Sequence, residues 1–174
     1  MEALSVLQPW ALLTVLMDPS TGQGEKTVET RSYQVPKGFR GRIAIHASKT
    51  FNTDDKLLCH EFYFAAAFNR HKIALPVVPE EYGFGGPNPS NGDNGDFPLG
   101  AVIGTVDLYD CRKMDSWFRI GSWRLSEKER AFGCYETGRF AWFLRNPIRF
   151  SKPIPARGAL GLWEWMPPAG LKVS

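Results

Sequence analysis

"GQGEKTVETRSY", residues Gly22 to Tyr33, decides how this chain is read. Within it "KTVETRS" alternates. As a strand it sets Thr27, Glu29 and Arg31 on one face and Lys26, Val28 and Thr30 on the other. A cation, an anion and a second cation fall between Lys26 and Arg31, and a further basic run, "KGFRGR", follows. Arg31, two residues from Glu29, is placed to hold that carboxylate ionised and oriented. Lys26 follows a glycine-bearing turn, where strict alternation relaxes, so its ammonium is free to swing round to the same face. The outcome is either a fixed anion between two cations in a cleft or an ordinary surface ion pair, which contributes about 0.2–1 kcal/mol.

Outward from this stretch, strands dominate. "LSVL" (Leu4 to Leu7) reads as a short strand, and "QPWALLTVLMD" as a short buried helix with Pro9 at its first position. "GRIAIHAS" alternates, with Ile43, Ile45 and Ala47 toward the core and Arg42, Ala44 and His46 opposite. One helix is expected from a Thr53 cap through Asp54 and Asp55 to Arg70 and His71, its charges matched to the helix dipole. "LGAVIGTVDLYDC" is apolar enough to be a central strand. "SEKERAF" opens with a capping box, Ser126 and Glu129. "GRFAWFLRNPIRF" is a long strand that Pro147 interrupts or bends, and "RGALGLWEW" is the last. Residues 83–98, rich in Gly, Pro and Asn, read as a surface loop insertion. Few connections contain a helix. The fold class is therefore α+β: a small barrel of mostly antiparallel or mixed strands with two or three flanking helices, one domain over residues 1–174.

Bulk properties narrow the classes. No apolar run is long enough to cross a bilayer, and no secretory leader is evident. Three cysteines without C-x-x-C spacing argue against a disulfide framework or a zinc site, so a cytoplasmic location and no metal are expected. The net charge of +3 is uneven: +1 over residues 1–60, −5 over 61–110 and +7 over 111–174. The basic C-terminal third also carries five of the six tryptophans. Basic and aromatic side chains together suit phosphate contact with base stacking, although an aromatic core under a soluble face has the same composition.

"GEKTVETR" fits G-x-K-x-x-E-x-R through Gly24, Lys26, Glu29 and Arg31, and resembles the signature of the ASCH domain family of the PUA-like superfamily. "LSVLQPWA", "RGRIAIHASK", "FPLGAVIGTVDLYDC" and "GRFAWFLRNPIRFSKPIPARGALGLWEW" are similar to parts of bacterial ASCH proteins, so the resemblance spans nearly the whole chain outside the 83–98 loop. It implies a PUA-like β-barrel whose cleft sets the motif residues close to nucleic acid. It also implies RNA or a modified nucleoside as partner, and no cofactor. Activities in the wider family are metal-independent RNA cleavage and removal of acetyl from N4-acetylcytidine. The amidohydrolase members have a threonine where this chain has Glu29, so the threonine nucleophile is missing.

The candidate catalytic residues are Lys26 and Glu29. In a ribonuclease one of them takes the proton of a 2′-hydroxyl while arginines stabilise the phosphorane. In an amidohydrolase Lys26 activates a nucleophile. In an RNA reader Lys26, Arg31, Arg40 and Arg42 contact phosphate while Trp10 or Tyr33 stacks a base. Gln8 and Trp10 sit at a helix start suited to an anion, unless Trp10 is core. His46 is a candidate proton donor, although a lone histidine is more often structural. Tyr135 and Arg139 are placed near the motif by the resemblance. Arg157, after two prolines in "PIPARG", sits on a stiff loop as a phosphate contact or a solvated residue.

Overall fold

The computed structural model describes residues 1–36, 38–79, 94–115 and 125–171. Among these residues ten elements follow one another: β1 (Glu2–Val6), α1 (Trp10–Val15), β2 (Val28–Arg31), β3 (Gly41–Ala47), α2 (Thr53–Leu58), α3 (Phe62–Arg70), β4 (Ala101–Lys113), α4 (Glu127–Ala131), β5 (Phe140–Pro155) and β6 (Leu162–Glu164). The strands form one mixed sheet in the order β2-β5-β4-β3-β1-β6. Only β1 and β3 pair in parallel; β1–β6, β2–β5, β3–β4 and β4–β5 are antiparallel. β4 is central, as its apolar sequence requires.

The sheet curls. β2 and β1 are four strand spacings apart, about 19 Å if the sheet were flat. That is further than an arginine side chain reaches. Yet Arg31 Nη2, on β2, donates to the Ser5 carbonyl of β1 at 2.8 Å. β6 pairs with β1 only as far as Leu4, which leaves the Ser5 carbonyl open to this bond. The result is a half-barrel whose seam is bridged by one side chain instead of a strand ladder. The α+β class and the curved mixed sheet expected from the sequence are thus the ones the chain forms.

The main core fills the concave side: Leu4, Val6, Leu12, Leu13, Ile43, Ile45, Leu108, Trp142 and Leu144 are all buried there, with Phe64 and Phe68 of α3 packed over them. Gly104 lets α1 come this close, because a Cβ there would lie 2.3 Å from the Ile148 carbonyl oxygen and 2.9 Å from Val15 Cγ1. A second cluster covers the convex face: Ala3, Ala44, Val102, Phe150 and Trp165.

Three expectations change, and a fourth, the bend at Pro147, holds. Ala44 and His46 are not on a solvent face; both are buried, because the C-terminal segment packs on the convex side of β3. The single helix over 53–71 is two, with Asn52 instead of Thr53 as the cap, its side chain accepting from the Asp55 amide at 2.8 Å. Residues 83–93 of the loop lie outside the described residues, but its end is core. Phe97 is buried, with its ring 4.8 Å from Phe68. β5 bends at Asn146-Pro147, where Asn146 takes φ 51° and the register against β4 shifts. Among the described residues no helix is long and apolar enough to cross a membrane.

Candidate functional site

The seam where β2 meets β1 holds a cavity of about 530 Å³. Its walls come from the end of β1, from Trp10 of α1, from β2 and the residues after it, from Phe64 of α3 and from residues 131–134 after α4. The cavity thus lies where the sheet does not close its ladder between β2 and β1.

Lys26 reaches it because α1 dictates the backbone of the motif. The last carbonyls of a helix lack intrahelical partners. Here the carbonyls of Leu16, the C-cap of α1, and of Leu13 accept from the Glu25 and Lys26 amides, at 2.8 and 3.2 Å. Gly24 permits this approach, since a Cβ there would lie 2.8 Å from the Lys26 carbonyl oxygen and 3.3 Å from that of Thr14. Held in this way, Lys26 turns inward and its side chain is 1% exposed. Its Nζ donates to the Val28 carbonyl and lies 3.8 Å from both Glu29 Oε2 and Glu129 Oε1. Glu29 Oε1 lies 3.1 Å from Arg31 Nε. The anion between two cations is therefore built, with a second carboxylate behind the lysine.

That second carboxylate was not singled out in the sequence for this role. Glu129 sits at the third position of α4, and Ser126 caps its amide at 3.0 Å as the capping box requires. Its side chain does not turn back to the cap. Instead it accepts from the Thr27 amide and hydroxyl, both at 2.8 Å, from the Val28 amide at 3.2 Å and from the Tyr135 hydroxyl at 2.9 Å. Burial, with the Glu129 charge beside it, raises the Tyr135 pKa far above the ordinary phenol range, which keeps the donating proton in place.

Behind Glu129 a buried ionic cluster anchors the same segment. Glu25, with no exposed surface, accepts from Arg70 at 2.6 Å and lies 2.8 Å from His71 Nε2 and 3.1 Å from Lys128 Nζ. Asp18 takes Lys128 at 2.6 Å. The end of α3 and the start of α4 are thereby tied to the turn that precedes the motif.

Of the residues singled out in the sequence, Lys26, Glu29, Arg31, Trp10, Tyr33 and Arg139 line this one cavity. Arg139 donates to the Thr30 carbonyl at 3.1 Å and has no carboxylate partner among the described residues. Tyr33 is 38% exposed at the mouth and packs edge-on against Trp142. Trp10 stands edge-on to Phe64. Tyr135 supports the cavity through Glu129 without lining it.

The others lie elsewhere. Gln8 is fully buried; its amide donates to the Pro98 carbonyl and accepts from the Leu12 amide, so it braces α1 and is closed to a ligand. Arg40 and Arg42 are drawn to Asp110 and Asp107 on β4 and face a separate hollow near the N-terminus. His46 and Arg157 line another cavity, beside the loop that leads into β6.

No family model matches the chain, and no curated protein does. Among solved structures the chain is similar to a crystal structure of a tyrosine-to-phenylalanine mutant of ZmASCH from Zymomonas mobilis. The two are 15% identical over 88% of this chain and 74% of that one, with a TM-score of 0.42.

Chemically, the seam cavity offers a carboxylate whose two oxygens each face a cation, a guanidinium bonded to a backbone carbonyl, and two aromatic surfaces. The carboxylate is its natural proton acceptor: Glu29 is 12% exposed, whereas Lys26 is closed off behind it. Arg139 and Arg31 are the groups placed to meet negative charge. Among the described residues no three His, Cys, Asp or Glu side chains cluster as a metal-binding set would.

Proposed function

We propose that the seam cavity binds RNA, one nucleotide entering it, and that Glu29 and Lys26 cleave the strand without a metal ion. The observation that carries this is the convergence of Lys26, Glu29, Arg31 and Arg139 on one concave, aromatic-walled space. Its volume of about 530 Å³ lies within the range of sites that enclose a small molecule. Tyr33 and Trp10 supply the stacking surfaces that single-stranded RNA recognition uses. Arg139 takes the phosphate. Glu29 accepts the proton of the 2′-hydroxyl as that oxygen bonds to phosphorus, the arginines stabilise the charge that builds on the phosphoryl oxygens, and the P–O5′ bond breaks, with water protonating the departing 5′-oxygen and a 2′,3′-cyclic phosphate left on the other fragment. Lys26 holds Glu29 from behind.

A second reading, hydrolysis of an N-acylated nucleoside, is favoured by the burial of Lys26 at the base of a cavity this size. It lacks a nucleophile at position 29, where the acid stands in place of threonine. One experiment separates the two. The parent, Lys26→Ala and Glu29→Ala are each incubated with defined RNA oligonucleotides and with N4-acetylcytidine, in the presence of a chelator. RNA cleavage by the parent that both substitutions abolish supports the first reading. Deacetylation without RNA cleavage supports the second, and RNA binding that Lys26→Ala leaves unchanged contradicts the placing of the site.

A further inference from the structure

A second cavity, of about 420 Å³, adjoins the seam across Ser5. The Ser5 carbonyl accepts Arg31 of the seam cavity, while its side chain lines the second space together with His46, Ser48, Lys49 and the loop 157–160. Among the described residues no carboxylate lines this space. Lys49 and Arg157 have no ion-pair partner among the described residues.

Both cations are positioned by contacts with the backbone. The stem of Lys49 lies along Gly100, where a Cβ would come within 2.9 Å of Lys49 Cγ and 3.0 Å of its Cε. The residues on either side of Arg157 pack on His46. His46 Nε2–H donates to the Ala156 carbonyl at 3.1 Å, and a Cβ at Gly158 would lie 2.6 Å from His46 Nδ1. Burial, together with the Lys49 charge, lowers the His46 pKa against the pull of the Ala156 bond, so the ring serves as a neutral brace. Pro153 and Pro155 stiffen the approach to this loop. A lysine point charge, an arginine fork and two serine hydroxyls around a space without acids match a phosphate group.

We propose that this second cavity is a phosphate subsite, which takes the phosphate next to the nucleoside held in the seam. The ligand is then a nucleotide or an RNA strand and not a free nucleoside. This rests on the reading of the seam as a nucleoside-binding cleft, and its test has an arm independent of that reading.

The first probe is inorganic phosphate, added to the full chain carrying isotope-labelled histidine. The His46 ring signals shift saturably in the parent and do not shift in the Lys49→Ala/Arg157→Ala double variant, whose substitutions fall on exposed side chains. No shift in the parent, or an equal shift in the double variant, overturns the proposal. The second set of probes is cytidine, cytidine 5′-monophosphate and a short oligocytidylate. The parent prefers a phosphorylated ligand to cytidine by about ten-fold, or 1.4 kcal/mol, and the double variant loses that preference. Preference for the mononucleotide as well as the strand assigns a terminal phosphate; preference for the strand alone assigns the RNA backbone. For the strand, the double variant also lowers the slope of log affinity against log salt by about 0.7, one phosphate's share. Glu29→Gln, which spares the Lys26–Glu129 pair, weakens cytidine and leaves the phosphate titration intact. If it leaves cytidine unchanged while phosphate still moves His46, the seam reading fails and the subsite stands. If it weakens cytidine while the double variant keeps the ten-fold preference, the subsite fails and the seam reading stands.

Discussion

Lys26 shows how much one buried charge asks of its neighbours. An ammonium withdrawn from water needs opposite charge and hydrogen-bond acceptors, and Glu29, Glu129 and the Val28 carbonyl supply them. The converse follows: removing the lysine leaves two carboxylates facing each other across a closed space. Lys26→Met, which keeps the volume, should destabilise the fold by about 3–5 kcal/mol in denaturant unfolding, the cost of breaking a buried pair from one side. Glu29→Gln should cost less, because Glu29 still meets solvent at the cleft and Lys26 keeps Glu129. If Lys26→Met proved as stable as the parent, the lysine would not be the keystone of the motif. The ionic residues of the motif were legible in the sequence, since Lys26, Glu29 and Arg31 lie within one short segment. Glu129 was legible only as half of a capping box. Its bonds to Thr27 and Val28 join residues some hundred positions apart, a distance that local pattern does not span.

At the scale of elements, α4 is a short helix with a long-range task. Five residues make too little helix to persist alone, so its cap and its tertiary bonds hold it. Ser126→Ala removes the cap and should cost about 1 kcal/mol. Because Glu129 hangs from the same turn, the variant should also lose protection of the Thr27 and Val28 amides in hydrogen exchange, ahead of the rest of the sheet. Equal protection in both proteins would mean that Glu129 is positioned without the cap. Strands were the readable elements, because alternation and apolar runs are local signals. The split between α2 and α3 was hidden, since residues 53–71 carry a helical pattern throughout and the break at 59–61 is made by tertiary packing. Faces of β3 were misread for a similar reason. Alternation predicts one wet face, and the C-terminal segment that covers Ala44 and His46 comes from the other end of the chain.

Across the whole molecule, a half-barrel that does not close its ladder must hold its seam by side chains, and here that seam is also the cleft. Stability and binding therefore share residues. The ionic cluster behind the motif adds a pH signature. Burial alone would raise the Asp18 pKa, but the bonds from Lys128 and Ser20 outweigh it and hold the carboxyl well below the ordinary range. With the folded value depressed, the unfolded chain takes the proton first as pH falls. This contribution is complete above the unfolded value, about 3.9, and is lost progressively below it. Thermal unfolding measured downward from pH 5 should show the parent losing stability below pH 4 more steeply than Asp18→Asn. Parallel curves would show that Asp18 contributes nothing to acid sensitivity. The uneven charge was visible in composition, but its arrangement was not. Much of the positive charge is matched locally, as Arg42 is by Asp107 and Arg112 by Asp110, while Arg139, Lys49 and Arg157 line the two cavities with no carboxylate partner among the described residues.

The most direct measurement is a chemical-shift map of the isotope-labelled chain as a short single-stranded RNA is added in the presence of a chelator. A ligand seated in the seam should move the amides of residues 26–33 and 131–139 first and furthest, with Ser5 and residues 156–160 following. Shifts confined to the outer surface of β4 and β5, with residues 26–33 unmoved, would contradict the account.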